Sequence, residues 1–157
     1  MNKLRVAFYK GTHPGLPGVY NRLVRWWTRS PYSHAELVFA SGHAASSSAM
    51  DGGVRFKVID FEPERWDFVD VPAGLARAAW QWFEAHEGQA YDLLGNLHFV
   101  ISAVGDDKRK WFCSEAVAAA LGMPDPERFD PGTLHAALSF INQPAQAGFF
   151  TPVTEGQ

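Results

Sequence analysis

Apolar residues alternate with polar ones along most of the chain as far as Val71, and from Ala73 onward they recur at helical spacing. A period of two belongs to strands with one buried face, a period of 3.6 to helices, and a run of strands followed by a run of helices defines an α+β fold. Leu4 to Tyr9 reads as the first strand. Gly11 to Gly18, with two prolines, reads as a loop, and Val19 to Arg29 as a short amphipathic helix that stops near Thr28, because Ser30 precedes Pro31. His34 to Ala40 and His43 to Ala49 read as a hairpin. With Ser41-Gly42 as a two-residue turn, Ala40 pairs with His43, Glu36 faces Ser47 and His34 faces Ala49. After the turn Asp51-Gly52-Gly53, Val54 to Phe61 and Trp66 to Val71 continue an antiparallel sheet.

The helical part opens with Ala73 to His86, which carries Leu75, Ala79, Trp82 and Phe83 at helical spacing and has Gly88 just beyond its end. Asp92 to Val104 reads as a second helix. Ser114 to Leu121 is a third, closed by Gly122 and Pro124, and Pro131 to Ile141 a fourth, opened by Asp130-Pro131. The chain after Asn142 is expected to be mostly irregular. With 157 residues, no repeat and no linker, residues 1–157 form one expected domain.

Fourteen basic against 17 acidic residues, net −3, leave no electrostatic footprint for a phosphate backbone, so nucleic acid is not an expected partner. One cysteine, Cys113, cannot make an internal disulfide or a cysteine-rich zinc site. No His-x-His or His-Glu-x-x-His spacing occurs, and no metal or cofactor is expected. The first residues hold no apolar stretch like a signal peptide's, and nothing later reaches the ~18 apolar residues of a membrane span. The expectation is a chain without a transmembrane segment, cytoplasmic as synthesised.

Cys113 stands in Trp111-Phe112-Cys113-Ser114-Glu115-Ala116-Val117, immediately ahead of an alanine-rich helix. Partial positive charge and free N–H groups at a helix N-terminus favour a thiolate, and the same N–H groups can hold the oxyanion formed when sulfur attacks a carbonyl. The plainer reading is a small buried hydrophobe, as most lone cysteines are. A base decides between the two. His86 falls in the last turn of a helix, where an imidazole is favoured structurally; His98 and His135 lie inside expected helices with no polar company; His13 sits in a Gly/Pro loop.

His34 differs, because it opens a strand after Ser30-Pro31-Tyr32-Ser33, and strand ends beside loops are where rigid scaffolds present functional groups. Period two puts Glu36 on its face and Leu37 and Phe39 on the other. Glu36 reads either as the carboxylate that orients the imidazole or as a solvent-facing strand glutamate. If its face packs on the helix led by Cys113, its charge is buried and needs a partner such as His34. A hairpin slip of one residue would bring Ser46 or Ser48 beneath the imidazole, and Ser46, Ser47 and Ser48 are weaker candidate third members.

A cysteine leading a helix and a histidine opening a strand make the papain-like arrangement, with the order here permuted, histidine first. The chain resembles the circularly permuted NlpC-type cysteine peptidases, the group that includes the YiiX-like proteins and the lecithin:retinol acyltransferase relatives. The resemblance lies in Thr28 to Phe39 (TRSPYSHAELVF), Gln89 to Asp92 (QAYD) and Trp111 to Leu121 (WFCSEAVAAAL), about a quarter of the sequence. It implies a permuted papain-like domain, an antiparallel sheet against helices, with Cys113 as nucleophile and His34 as general base. The family's third polar residue, usually Glu, His or Asn, lies on the strand after the histidine strand. Here that strand reads His43-Ala-Ala-Ser-Ser-Ser-Ala, so the position is missing or falls on a serine, and Glu36 is the substitute.

Tyr91-Asp92 resembles a Tyr-Asp pair of that family; Asp92 reads as a helix cap and Tyr91 as a residue lining the site. Trp27 and Tyr32, with Trp26, flank His34 in sequence and either line a groove or belong to the core. The resemblance implies a thiol hydrolase acting on amide or peptide bonds, with cell-wall peptides such as peptidoglycan fragments as the substrate class. A chain made without an export signal then needs a phage particle or lysis to reach the wall. The alternatives are acyl transfer from a lipid or thioester on the same dyad, and a non-catalytic binding or virion-associated module. Asp60, Glu62, Glu64, Asp67 and Asp70 read as solvated strand and turn carboxylates rather than a glycosidase pair.

Overall fold

Seven strands form one sheet in the computed structural model, which describes residues 3–12, 15–91 and 110–142. The expected helix from Asp92 to Val104 and the tail after Asn142 lie outside the described residues. Strands β1 (Leu4–Tyr9), β2 (His34–Val38), β3 (His43–Ser48), β4 (Gly53–Val58) and β5 (Trp66–Val71) pair antiparallel. The two-residue strands β6 (Ala90–Tyr91) and β7 (Lys110–Trp111) extend the sheet beyond β4, giving the order β5-β1-β2-β3-β4-β6-β7. Four helices, α1 (Leu16–Thr28), α2 (Ala76–His86), α3 (Cys113–Ala120) and α4 (Pro131–Ile141), complete the described α+β fold.

Alternation along the strands sorts the sheet into two faces. Leu4, Val6, Phe8, Ala35, Leu37, Phe39, Ala45, Val54, Val69 and Val71 join Ala79 and Phe83 of α2, Ala116, Val117 and Ala120 of α3, and Leu134 and Leu138 of α4 in the main core. Ala7, Val38 and Ala44 point the other way, toward Phe61, Trp66 and Phe68. Each fully buried Leu, Val or Phe stabilises the fold by about 1.5–3 kcal/mol, so the helix-covered face carries most of the hydrophobic driving force.

Several local expectations change, and the strand expected from Val54 to Phe61 runs from Gly53 to Val58 only. Helix α1 starts at Leu16, inside the stretch expected as loop, because proline is favourable in a first helical turn and Pro17 occupies it, after Gly15 at φ 73°. The hairpin is also one residue out of the expected register: Leu37 opposes Ala45 and Val38 opposes Ala44. Its loop has three residues, Ala40-Ser41-Gly42, with the Phe39 N–H donating to His43 O (2.9 Å) and the Gly42 N–H to Phe39 O (3.0 Å). Gly42, at φ 87°, takes the left-handed position that closes such a loop. Continued toward the site, this register sets Ser46 rather than Ser47 beside Glu36.

The helix after Val71 begins as a 3-10 turn over Ala73–Leu75 before α2, and α3 starts one residue earlier than expected, at the cysteine itself. Helix α4 has the expected limits, with Asp130 accepting from the Gly132 N–H (2.7 Å) and Thr133 N–H (3.0 Å).

Candidate active site

His34 is the first residue of β2, and strand geometry returns Glu36 to its side. The His34 Nε2 and Glu36 Oε1 atoms lie 2.7 Å apart. A carboxylate only accepts, so Nε2 carries the donated hydrogen and Nδ1 is left for another partner. Glu36 is 1% exposed. Its burial does not come from α3, whose side chains pack on the opposite, Leu37 and Phe39 face of the sheet. A buried carboxylate needs strong compensation, and Arg55 on β4 provides it as a two-pronged fork, Nη1 to Oε2 at 2.7 Å and Nη2 to Oε1 at 2.5 Å. Arg55 Nε also donates to Asp51 Oδ2 (2.9 Å), whose other oxygen accepts from Lys57 Nζ (2.9 Å).

Cys113 begins α3 and its residue is wholly buried. The chain leading to it is fixed on several sides. Ser47 Oγ donates to Trp111 O (2.7 Å), Trp111 Nε1 to Gln89 Oε1 (2.7 Å), the Phe112 N–H to Glu115 Oε2 (3.1 Å), and Ser114 Oγ to Phe129 O (2.5 Å). Cys113 lies within electrostatic reach of the His34 imidazole. Burial by itself would lower the imidazole's pKa; negative charge on Cys113 and the Glu36 carboxylate outweigh burial and push the pKa up to about 10. Burial opposes ionisation of Glu36 as well, but the bonds from Arg55 and His34 hold its carboxyl below the usual range. Lys57 and Arg55 together overcome burial at Asp51 and lower it to about 2.

The structure thus brings His34 and Glu36 into contact and Cys113 within electrostatic reach of the imidazole. Ser46 Oγ donates to Ala35 O (2.6 Å) and Ser47 Oγ to Trp111 O, so these two hydroxyls are spent on the backbone; Ser48 falls opposite His34 when the register is continued, while the imidazole Nε2 bonds Glu36. Tyr32 belongs to the core rather than to an open groove. It is buried, its hydroxyl donates to Asp67 Oδ2 (2.8 Å), and its ring stacks against Phe8 and His135. Trp27 and Tyr91 fall in α1 and β6, and their side chains lie outside those described.

His135 has the polar company its helix pattern did not announce, with Nε2 3.2 Å from the Tyr32 hydroxyl. Asp67 is likewise no merely solvated carboxylate, since Lys10 Nζ donates to it at 2.6 Å. His86 is in the last turn of α2, its Nδ1 2.7 Å from Trp82 O and its ring stacked on Trp82. His13, His98 and the Asp92 cap lie outside the described residues.

Sequence reasoning missed Arg55 and Asp51. Arg55 opposes Ser46 on the neighbouring strand, and the small Ser46 separates it from Glu36. With the hairpin register correct, that cross-strand row of acid, small residue and base would have been the signal.

No protein-family model and no curated protein matches the chain. Among the described residues, no group of three or more His, Cys, Asp and Glu side chains could hold a metal ion, and no helix is long and apolar enough to cross a membrane.

Proposed function

We propose that this chain is a thiol hydrolase of the permuted papain-like kind, cleaving amide or peptide bonds, with cell-wall peptides as its substrate class. The observation that carries the reading is the nearness of buried Cys113, at a helix start, to an imidazole that Glu36 holds by a 2.7 Å hydrogen bond. In the proposed cycle the Cys113 proton already rests on His34, and the sulfur attacks the scissile carbonyl. The N–H groups of the first turn of α3 lie at the sulfur's end of the helix, where an oxyanion forms. His34 then gives its proton to the leaving amine. Water, deprotonated by the same imidazole, attacks the thioester and releases the acid and the thiol.

A second reading, an inert module that kept the fold, is favoured by one observation, the complete burial of Cys113. Iodoacetamide labelling at pH 6 separates the two. The hydrolase reading expects Cys113 to label at least ten times faster in the wild type than in His34→Ala, because the imidazole that keeps the sulfur ionised is gone. Equal, slow labelling in both proteins supports the inert module. Incubation with muropeptides and, separately, with a phospholipid or lipid thioester then identifies the acyl donor by the mass of the Cys113 adduct.

A further inference from the structure

The line from Cys113 through His34 does not end at Glu36. Beyond it the opposite charges alternate in space through Arg55, Asp51 and Lys57, from the buried helix start to a half-exposed lysine. Arg55 is the only one of these that binds two carboxylates, and both Nη atoms are committed to Glu36.

Among the described residues, the groups facing Glu36 leave Arg55 no substitute. On β1 the residue opposite Glu36 is Ala7, and Tyr9 lies opposite His34; on β3 the neighbour is Ser46, whose hydroxyl is turned to Ala35 O. The remaining partner on its own strand is His34, itself within electrostatic reach of Cys113 of α3. In the proposed thiol chemistry, loss of Arg55 would leave the Glu36 carboxylate and the ionising Cys113 sulfur with one imidazolium between them in a buried site. One extra proton then enters readily, on the carboxylate or on the sulfur, and either proton disarms the site: a neutral Glu36 stops holding the imidazolium, and a neutral sulfur is no nucleophile.

From this geometry we infer that Arg55 is a positioning residue of the site, a buried counter-cation that keeps Glu36 an acceptor for His34 and so keeps the Cys113–His34 pair in its charged, reactive state as pH falls. The inference rests on the proposed thiol chemistry and assigns its acid tolerance to a side chain that touches neither the sulfur nor a substrate. Ser46 has a part in it, because only a small side chain leaves the guanidinium room to reach across β3.

The test is the rate of Cys113 alkylation by iodoacetamide between pH 5 and 9 in the intact chain. Arg55→Met is expected to lose at least tenfold in rate at pH 5.5 while staying within threefold of the wild type at pH 8.5, and Arg55→Lys, which keeps the charge without the fork, to recover part of the acid-side loss. A purely structural role for Arg55 would lower the rates equally at all pH values, and that result overturns the inference. If Arg55→Met does not fold, Arg55→Gln, which keeps hydrogen-bond donors but not the charge, decides: an acid-side loss with normal rates at pH 8.5 supports the inference, and an unchanged profile in a folded Arg55→Gln contradicts it. A wild-type rate that His34→Ala leaves unchanged at every pH fails the thiol reading itself, which distinguishes that failure from a failure of Arg55.

Discussion

Two histidines in this chain sit beside a carboxylate, with a cation on the carboxylate's far side, and they are driven in opposite directions. His34 bonds Glu36 directly, lies within electrostatic reach of Cys113 and is pushed up to about 10. His135 meets the Tyr32 hydroxyl, which itself bonds Asp67, and its burial outweighs the attraction of that carboxylate, so its pKa is lowered. The cation differs too. Arg55 forks onto a carboxylate 1% exposed, whereas Lys10 makes one bond to an Asp67 side chain 38% exposed. Residue types alone therefore do not make a reactive histidine. Direct contact with a buried anion is what separates His34 from His135.

The largest expected effect that sharpens this contrast is on stability. Glu36→Ala strands the buried Arg55 fork and is expected to cost about 3–5 kcal/mol, while Asp67→Ala removes a half-exposed pair and costs about 1 kcal/mol or less; urea unfolding of both variants measures the difference. Equal costs would erase the distinction between the two sites. Next comes reactivity at neutral pH. Removing His34 is expected to slow Cys113 alkylation by at least tenfold, whereas His135→Ala leaves it within twofold, read by mass spectrometry over time.

The pH dependence of stability should also split. Because the folded pKa of His34 is raised, its contribution is fully present below the unfolded value near 6.5 and is lost as pH rises toward about 10. His135, with its folded pKa lowered, costs stability as pH falls below about 6.5 through its folded value. Urea midpoints at pH 5, 7 and 9 are expected to show His135→Phe flattening the acid side and His34→Ala flattening the alkaline side. The smallest effect, outside both clusters, is Asp130→Ala, which removes the α4 cap and costs about 1 kcal/mol.

Among the described residues, the order of the five long strands and of the helices, and the pairing of Glu36 with His34 on one strand face, were legible in the sequence because each depends on period or neighbouring residues. Leu37 and Phe39 sit on the helix-covered face and Glu36 on the other, as alternation requires. The hairpin register was not legible, since Ser41-Gly42 fits a two-residue turn as well as the end of a three-residue one, and only the left-handed Gly42 selects the latter. That single slip hid Arg55, which becomes a neighbour of Glu36 only when Ser46 stands between them. Tyr32 and His135 were misplaced for a similar reason. They are 103 positions apart, and no local pattern announces a hydrogen bond over that distance.

The account rests on the thiol and imidazole acting as one ionised couple, and nitrogen-detected NMR of the His34 ring reads that state directly. In the wild type the ring is expected to stay doubly protonated through pH 8, and in Cys113→Ala, which removes one of its two anions, to titrate at a clearly lower pH. A His34 ring that titrates near 6.5 in both proteins would contradict it.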